Sequence, residues 1–115
     1  MPLMSKSSTI IKYLKEISMS NVHVTPVHPG VVLKDELEEI GFTQSALANH
    51  IDVLPKTINE ICRGKRGISA DMAMKLSKAL GGSPQFWLNL QNNWELSQLD
   101  SKAFEAIEPV AAQPQ

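Results

Sequence analysis

The chain has 115 residues, 11 Lys+Arg, 12 Asp+Glu and one cysteine, for a formal net charge of −1. That length fits one small domain with short appendages, and 43% apolar residues suffice for a single hydrophobic core. A lone cysteine excludes an internal disulfide framework and a cysteine zinc cage, and no apolar run approaches the roughly 20 residues that span a bilayer, which points to a soluble protein.

The mean charge conceals a pattern. Residues 43–80 hold Lys56, Arg63, Lys65, Arg66, Lys75 and Lys78 against Asp52, Glu60 and Asp71, a net +3. Residues 29–42 and 81–115 each carry −3, and residues 1–28 carry +2. A basic centre between acidic flanks suits a protein that meets phosphate on one face. Ordinary solvated charge is the other reading of the same numbers.

Residues 1–28 read as an appended arm, polar in Ser5, Ser7, Ser8, Ser18 and Ser20. Ile10, Ile11, Leu14 and Ile17 recur at helical spacing, so the arm is either a short amphipathic helix or disordered. Met1 to Ser20 lacks a continuous apolar stretch with a small-residue cleavage site, so the expected location is the cytoplasm. Met19 is an alternative translation start to Met1.

From His28-Pro29-Gly30 the pattern becomes helical. Leu33, Leu37 and Ile40 form a stripe that Gly41 ends in the position that favours glycine. Thr43 is an N-cap for a second helix, Gln44 to His50, with Ala46, Leu47 and Ile51 apolar. Pro55 suits the first turn of a third helix running to about Arg63 and burying Ile58, Ile61 and Cys62. Gly64 and Gly67 bracket a basic turn, Lys65-Arg66. Ser69 caps a fourth helix with Met72, Leu76, Ala79 and Leu80 on one stripe, and Asp71 complements its dipole. Gly81-Gly82 stops it. Ser83-Pro84 starts a fifth, to about Ser97, with Phe86, Trp87, Leu90 and Trp94 along one side. No segment alternates strongly enough for a strand. The expected fold is all-α, five short helices over residues 29–98, followed by an acidic, frayed tail at 99–115.

Two short helices joined by Asp52 to Pro55 have helix-turn-helix spacing. With Ile58, Ile61 and Cys62 inward, Lys56, Thr57, Asn59, Glu60 and Arg63 face out. The N-terminal end of such a helix enters the major groove, which makes Lys56, Thr57 and Asn59 the candidate base readers. Gln44 can touch a phosphate from the start of the second helix, and Arg63, Lys65 and Arg66 suit the DNA backbone. Glu60 repels phosphate, and its two readings are acceptance from cytosine or pairing with a nearby lysine. A plain solvated face is the competing reading for the whole set.

The run from Thr43 to Leu96 resembles the HigA/VapI antitoxins within the XRE-type helix-turn-helix regulators. The opening His28-Pro29-Gly30 with Leu33, the Thr43-Gln44 start, the block Thr57-Ile58-Asn59-Glu60-Ile61 and Gly64-Lys65-Arg66 all fit that family's pattern. The block from Ser83 to Gln91, SPQFWLNLQ, narrows the resemblance beyond a generic DNA-binding domain. The resemblance implies a small dimeric protein that binds a RelE-like mRNA-cleaving toxin and represses its own operon. A phage-repressor-like regulator without a toxin is the alternative on the same scaffold. Asp52 and Leu54 depart from the pattern, standing where a turn glycine and a Ser or Pro are usual. They keep open a third reading, a protein-interaction domain whose basic turn has lost its DNA role.

The remaining residues give no chemistry. Trp87 and Trp94 lie seven apart on one helix face, and a stripe of Trp87, Leu90 and Trp94 too long for one small core reads as a two-fold dimer seam. For Trp87, simple core packing is the other reading. His23, His28 and His50 have no ligand spacing and read as surface or capping residues. Cys62 reads as a small buried apolar residue, and Glu36, Glu38 and Glu39 as a solvated helix face. There is no Ser/His/Asp set and no glycine-rich phosphate loop. The expectation is a non-enzymatic binding module without metal or cofactor.

Overall fold

A computed structural model describes residues 26–112, and the readings made for the arm before them lie outside that range. Among the described residues all regular structure is helical. The five α-helices are α1 (Pro29–Ile40), α2 (Gln44–Ile51), α3 (Pro55–Cys62), α4 (Ala70–Leu80) and α5 (Pro84–Ser97). Short 3-10 turns follow at Ser101–Phe104 and Val110–Ala112. The fold is therefore the five-helix, all-α one expected. The tail forms those two turns instead of fraying throughout, and it stays exposed over residues 99–111.

Local chemistry sets the helix ends. Thr43, Ser69 and Ser83 each accept from the backbone N–H three residues on, at 3.0 to 3.1 Å. Pro29, Pro55 and Pro84 occupy first turns, where a missing N–H costs nothing. Helices α1, α2 and α3 all end in one way. The chain turns through a left-handed residue, namely Gly41 (φ 73°), Asp52 (φ 60°) and Gly64 (φ 76°). The next N–H then reaches back to the carbonyl five residues earlier, Phe42 to Leu37 (3.0 Å), Val53 to Ala48 (2.9 Å) and Lys65 to Glu60 (2.8 Å). Asp52 thus performs the turn glycine's role, at a conformational cost on the order of 1 kcal/mol.

Helices α2 and α3 pack on each other. Helix α1 lies against α3 and α5, α4 lies against α5, and α2 meets α4. Leu33, Leu47, Ala48, Ile58, Ile61, Leu76 and Trp87 are fully buried between them. Each buried Leu or Ile side chain contributes about 1.5–3 kcal/mol by leaving water. Gly30 sits where α1 meets α3, and a Cβ there would collide with the carbonyl oxygen of Ile61.

Two expectations are corrected on α1. Glu36 is buried, not on a solvated face, and Ile40 is 45% exposed. The buried stripe runs through Pro29, Val32, Leu33, Glu36 and Leu37, so Glu36 falls one turn after Val32 on the inner side.

Candidate nucleic-acid interface

The Asp52–Leu54 turn sets α3 across α2, with Ile58 and Ile61 buried beneath. Lys56, Asn59 and Arg63 are exposed, while Thr57 and Glu60 are half-buried at the edges of the same face. Lys65 and Arg66 follow in the exposed turn. The structure therefore brings the eight polar residues singled out in the sequence onto α3, the turn after it and the start of α2.

Two side-chain contacts organise this face. The Asn59 amide donates to Oε1 of Gln44 at 3.2 Å, bracing the middle of α3 against the start of α2. Arg66 donates to Oε1 of Glu60 through Nε at 2.9 Å and Nη2 at 2.7 Å. Lys56 Nζ lies 4.0 Å from the other Glu60 oxygen. The hydrogen bond from Arg66 holds the Glu60 carboxyl below its ordinary pKa, with Arg66, Lys56 and Lys65 adding attraction. Of the two readings of Glu60, the free structure realises ion pairing, with an arginine as the main partner. Arg66 is correspondingly engaged within the chain.

The basic turn is moored from behind by a residue that the sequence pattern marks only as part of a family block. Gln91 is buried on α5; its Oε1 accepts from the Ile68 N–H at 2.7 Å and its Nε2 donates to Glu95 at 2.8 Å. A Cβ at Gly67 would sit within 3.0 Å of the Gln91 amide, so a larger residue there would have to push that amide aside. The available signal was a polar residue four after Trp87, on an otherwise apolar stripe.

The residues read as a dimer seam divide. Trp87 is fully buried and Leu90 is 5% exposed, both in the chain's own core, so neither presents a surface to a second subunit. Trp94 is half-buried, its ring edge-on to His28 with centroids 4.8 Å apart. His28 itself caps α1, its Nδ1 accepting from the Gly30 N–H at 2.9 Å, and burial lowers its pKa. Burial likewise raises the Cys62 thiol, leaving it less disposed to act as a thiolate. Among the described residues, no group of three or more His, Cys, Asp or Glu could hold a metal ion, and no helix is long and apolar enough to cross a membrane.

Fold and site together define a helix-turn-helix protein. The helix-turn-helix family profile matches residues 33–87. Virulence-associated protein A′ of Dichelobacter nodosus is 43% identical over 83 residues, covering 71% of this chain and 72% of that protein. Antitoxin HigA-1 of Vibrio cholerae is 42% identical over 72 residues, covering 62% of this chain and 68% of that protein. The solved structure of the Pseudomonas aeruginosa antitoxin HigA with the higBA promoter superimposes with a TM-score of 0.64 at 40% identity, over 75% of this chain and 99% of that one. The chain belongs to the HigA-type antitoxins of the XRE helix-turn-helix family.

Proposed function

We propose that this chain is a dimeric antitoxin that binds its own operator and represses its operon in the cytoplasm, and that it neutralises a RelE-like mRNA-cleaving toxin. The observation that carries the DNA reading is the exposed polar face of α3. There Lys56 and Asn59 stand clear of the core, Thr57 flanks them, and Gln44 braces Asn59. Asn59 offers an amide that can make two hydrogen bonds to the major-groove edge of an adenine, and Lys56 a donor for guanine or phosphate. Arg63 and Lys65, with Arg66 once it leaves Glu60, suit backbone phosphates, which give affinity without sequence information. Two α3 helices set one DNA turn apart by a two-fold axis would read a palindrome. The dimer seam we propose runs through Trp94 and the exposed Leu96 and Leu99 beyond it, 67% and 55% accessible.

Repression then follows from occupancy: a dimer seated on the promoter excludes polymerase. The −3 carried by residues 29–42 and by residues 81–115 favours a basic toxin by complementarity. The test of the groove assignment is a triple alanine variant at Lys56, Thr57 and Asn59. It is expected to lose discrimination between the upstream DNA and a scrambled duplex while keeping its helical circular dichroism. Retained discrimination would remove α3 from the groove. For the toxin, co-expression with an adjacent small basic reading frame is expected to restore growth that the frame alone arrests.

A further inference from the structure

Among the described residues, four of the five α-helices begin with a side-chain cap, supplied by His28, Thr43, Ser69 and Ser83. Helix α3 is the exception: Leu54 occupies its N-cap and no side chain bonds the first turn. A cap without a side-chain acceptor forgoes a stabilising contact that Ser, Thr, Asp or Asn would supply. Leu54 gains little from the core in return, since it is 70% exposed. The position is thus unfavourable in capping and in hydration together. Local rules broken with no return inside the chain mark positions that act on something outside it.

The surroundings indicate what that is. Pro55 beside it and Lys56 beyond are exposed, the Lys56 side chain by 79%, and the amides of Gln44 and Asn59 lie on the same helix pair. Val53 beside it packs against the core, and the charged Asp52 and Lys56 lie two residues away on either side, so Leu54 with Pro55 makes a smaller apolar patch than the several hundred Å² typical of a protein interface. In the major groove of DNA, one apolar group is offered to a reader, the C5 methyl of thymine. We infer that Leu54 is a specificity-determining residue that packs on a thymine methyl group in each half-site. This rests on the DNA-binding reading above. The N-terminal end of α3 is the end that helix-turn-helix docking puts in the groove, and Leu54 stands at that end. Its missing cap is then the local cost of a base contact.

The test compares the upstream duplex with the same duplex carrying deoxyuridine for thymine, bound to the full chain and to its Leu54→Ser variant. Serine supplies the missing cap, so the variant is expected to unfold at no lower temperature than the parent. The parent is expected to prefer the thymine duplex by about fourfold for each methyl group covered, the factor that burying one such group gives. Leu54→Ser is expected to bind both duplexes equally. A thymine preference that survives in Leu54→Ser overturns the inference and assigns the methyl to another residue. A parent that separates upstream from scrambled DNA yet ignores the methyl also overturns it, and leaves Leu54 to a protein partner. A parent that binds no duplex selectively overturns the DNA reading, and this inference with it.

Discussion

A Cβ added at Gly30 would overlap the Ile61 carbonyl oxygen, a backbone atom that cannot swing aside. The same carbonyl accepts from the Gly64 N–H at 3.0 Å, so any displacement is felt at the basic turn. Gly30→Ala is expected to cost about 3 kcal/mol in urea unfolding, in the upper range for overpacking; a change within about 0.5 kcal/mol would contradict so close an approach. Glu60 acts at the same scale but on binding. Its carboxylate holds Arg66 and attracts Lys56, so it withholds cations from phosphate. Glu60→Gln is expected to tighten binding to scrambled DNA and to steepen the log–log salt slope by about 0.9 for each further phosphate neutralised. An unchanged slope would show that neither cation is held back.

Helix ends were the most legible feature of the sequence, because they are local. Gly41, Thr43, Ser69 and Ser83 act within four residues of themselves, and each stands where its chemistry placed it. Asp52 kept the turn for the same reason. The outward set on α3 was legible too, since one helix with Ile58 and Ile61 inward leaves few arrangements. What the sequence hid were contacts between distant positions. Gln91 holds Ile68 across 23 residues, and Gln44 holds Asn59 across 15. Glu36 looked solvated because its neighbours Glu38 and Glu39 are, yet its place on the inner stripe buries it. For Trp87 the sequence left two readings, dimer seam and core, and the small five-helix core takes it inside.

His28 joins a local cap to such a distant contact, through Trp94, and it gives the start of α1 a pH dependence. Burial lowers its folded pKa below the ordinary value of about 6.5. Between those two values the unfolded chain binds a proton that the folded chain does not. Stability is therefore full above about pH 6.5 and falls as pH drops through the window below it. Asparagine can cap but does not titrate. Urea unfolding at about pH 8 and about pH 5.5 is expected to show a smaller loss for His28→Asn than for the parent. Equal losses would remove His28 as the cause.

At the scale of the whole molecule, the chain divides its charge. A net −1 would repel DNA weakly, but residues 43–80 hold +3 and fold into α2, α3, the basic turn and α4. The acidic stretch continues past α5 into residues 99–111, which are exposed, with Ile107 and Val110 72% and 86% accessible. One molecule thus carries a cationic face and an acidic, partly apolar segment, the two surfaces that the proposed repression and toxin binding would use. The central claim is that the cationic face reads DNA by sequence. The most direct measurement is fluorescence-anisotropy binding to the DNA upstream of this gene and to a scrambled duplex, across a salt series. The account predicts tight binding to the upstream fragment alone, falling steeply as salt displaces the phosphate contacts. Weak and equal binding to both duplexes would contradict it, and would make the helix-turn-helix a scaffold for protein contacts.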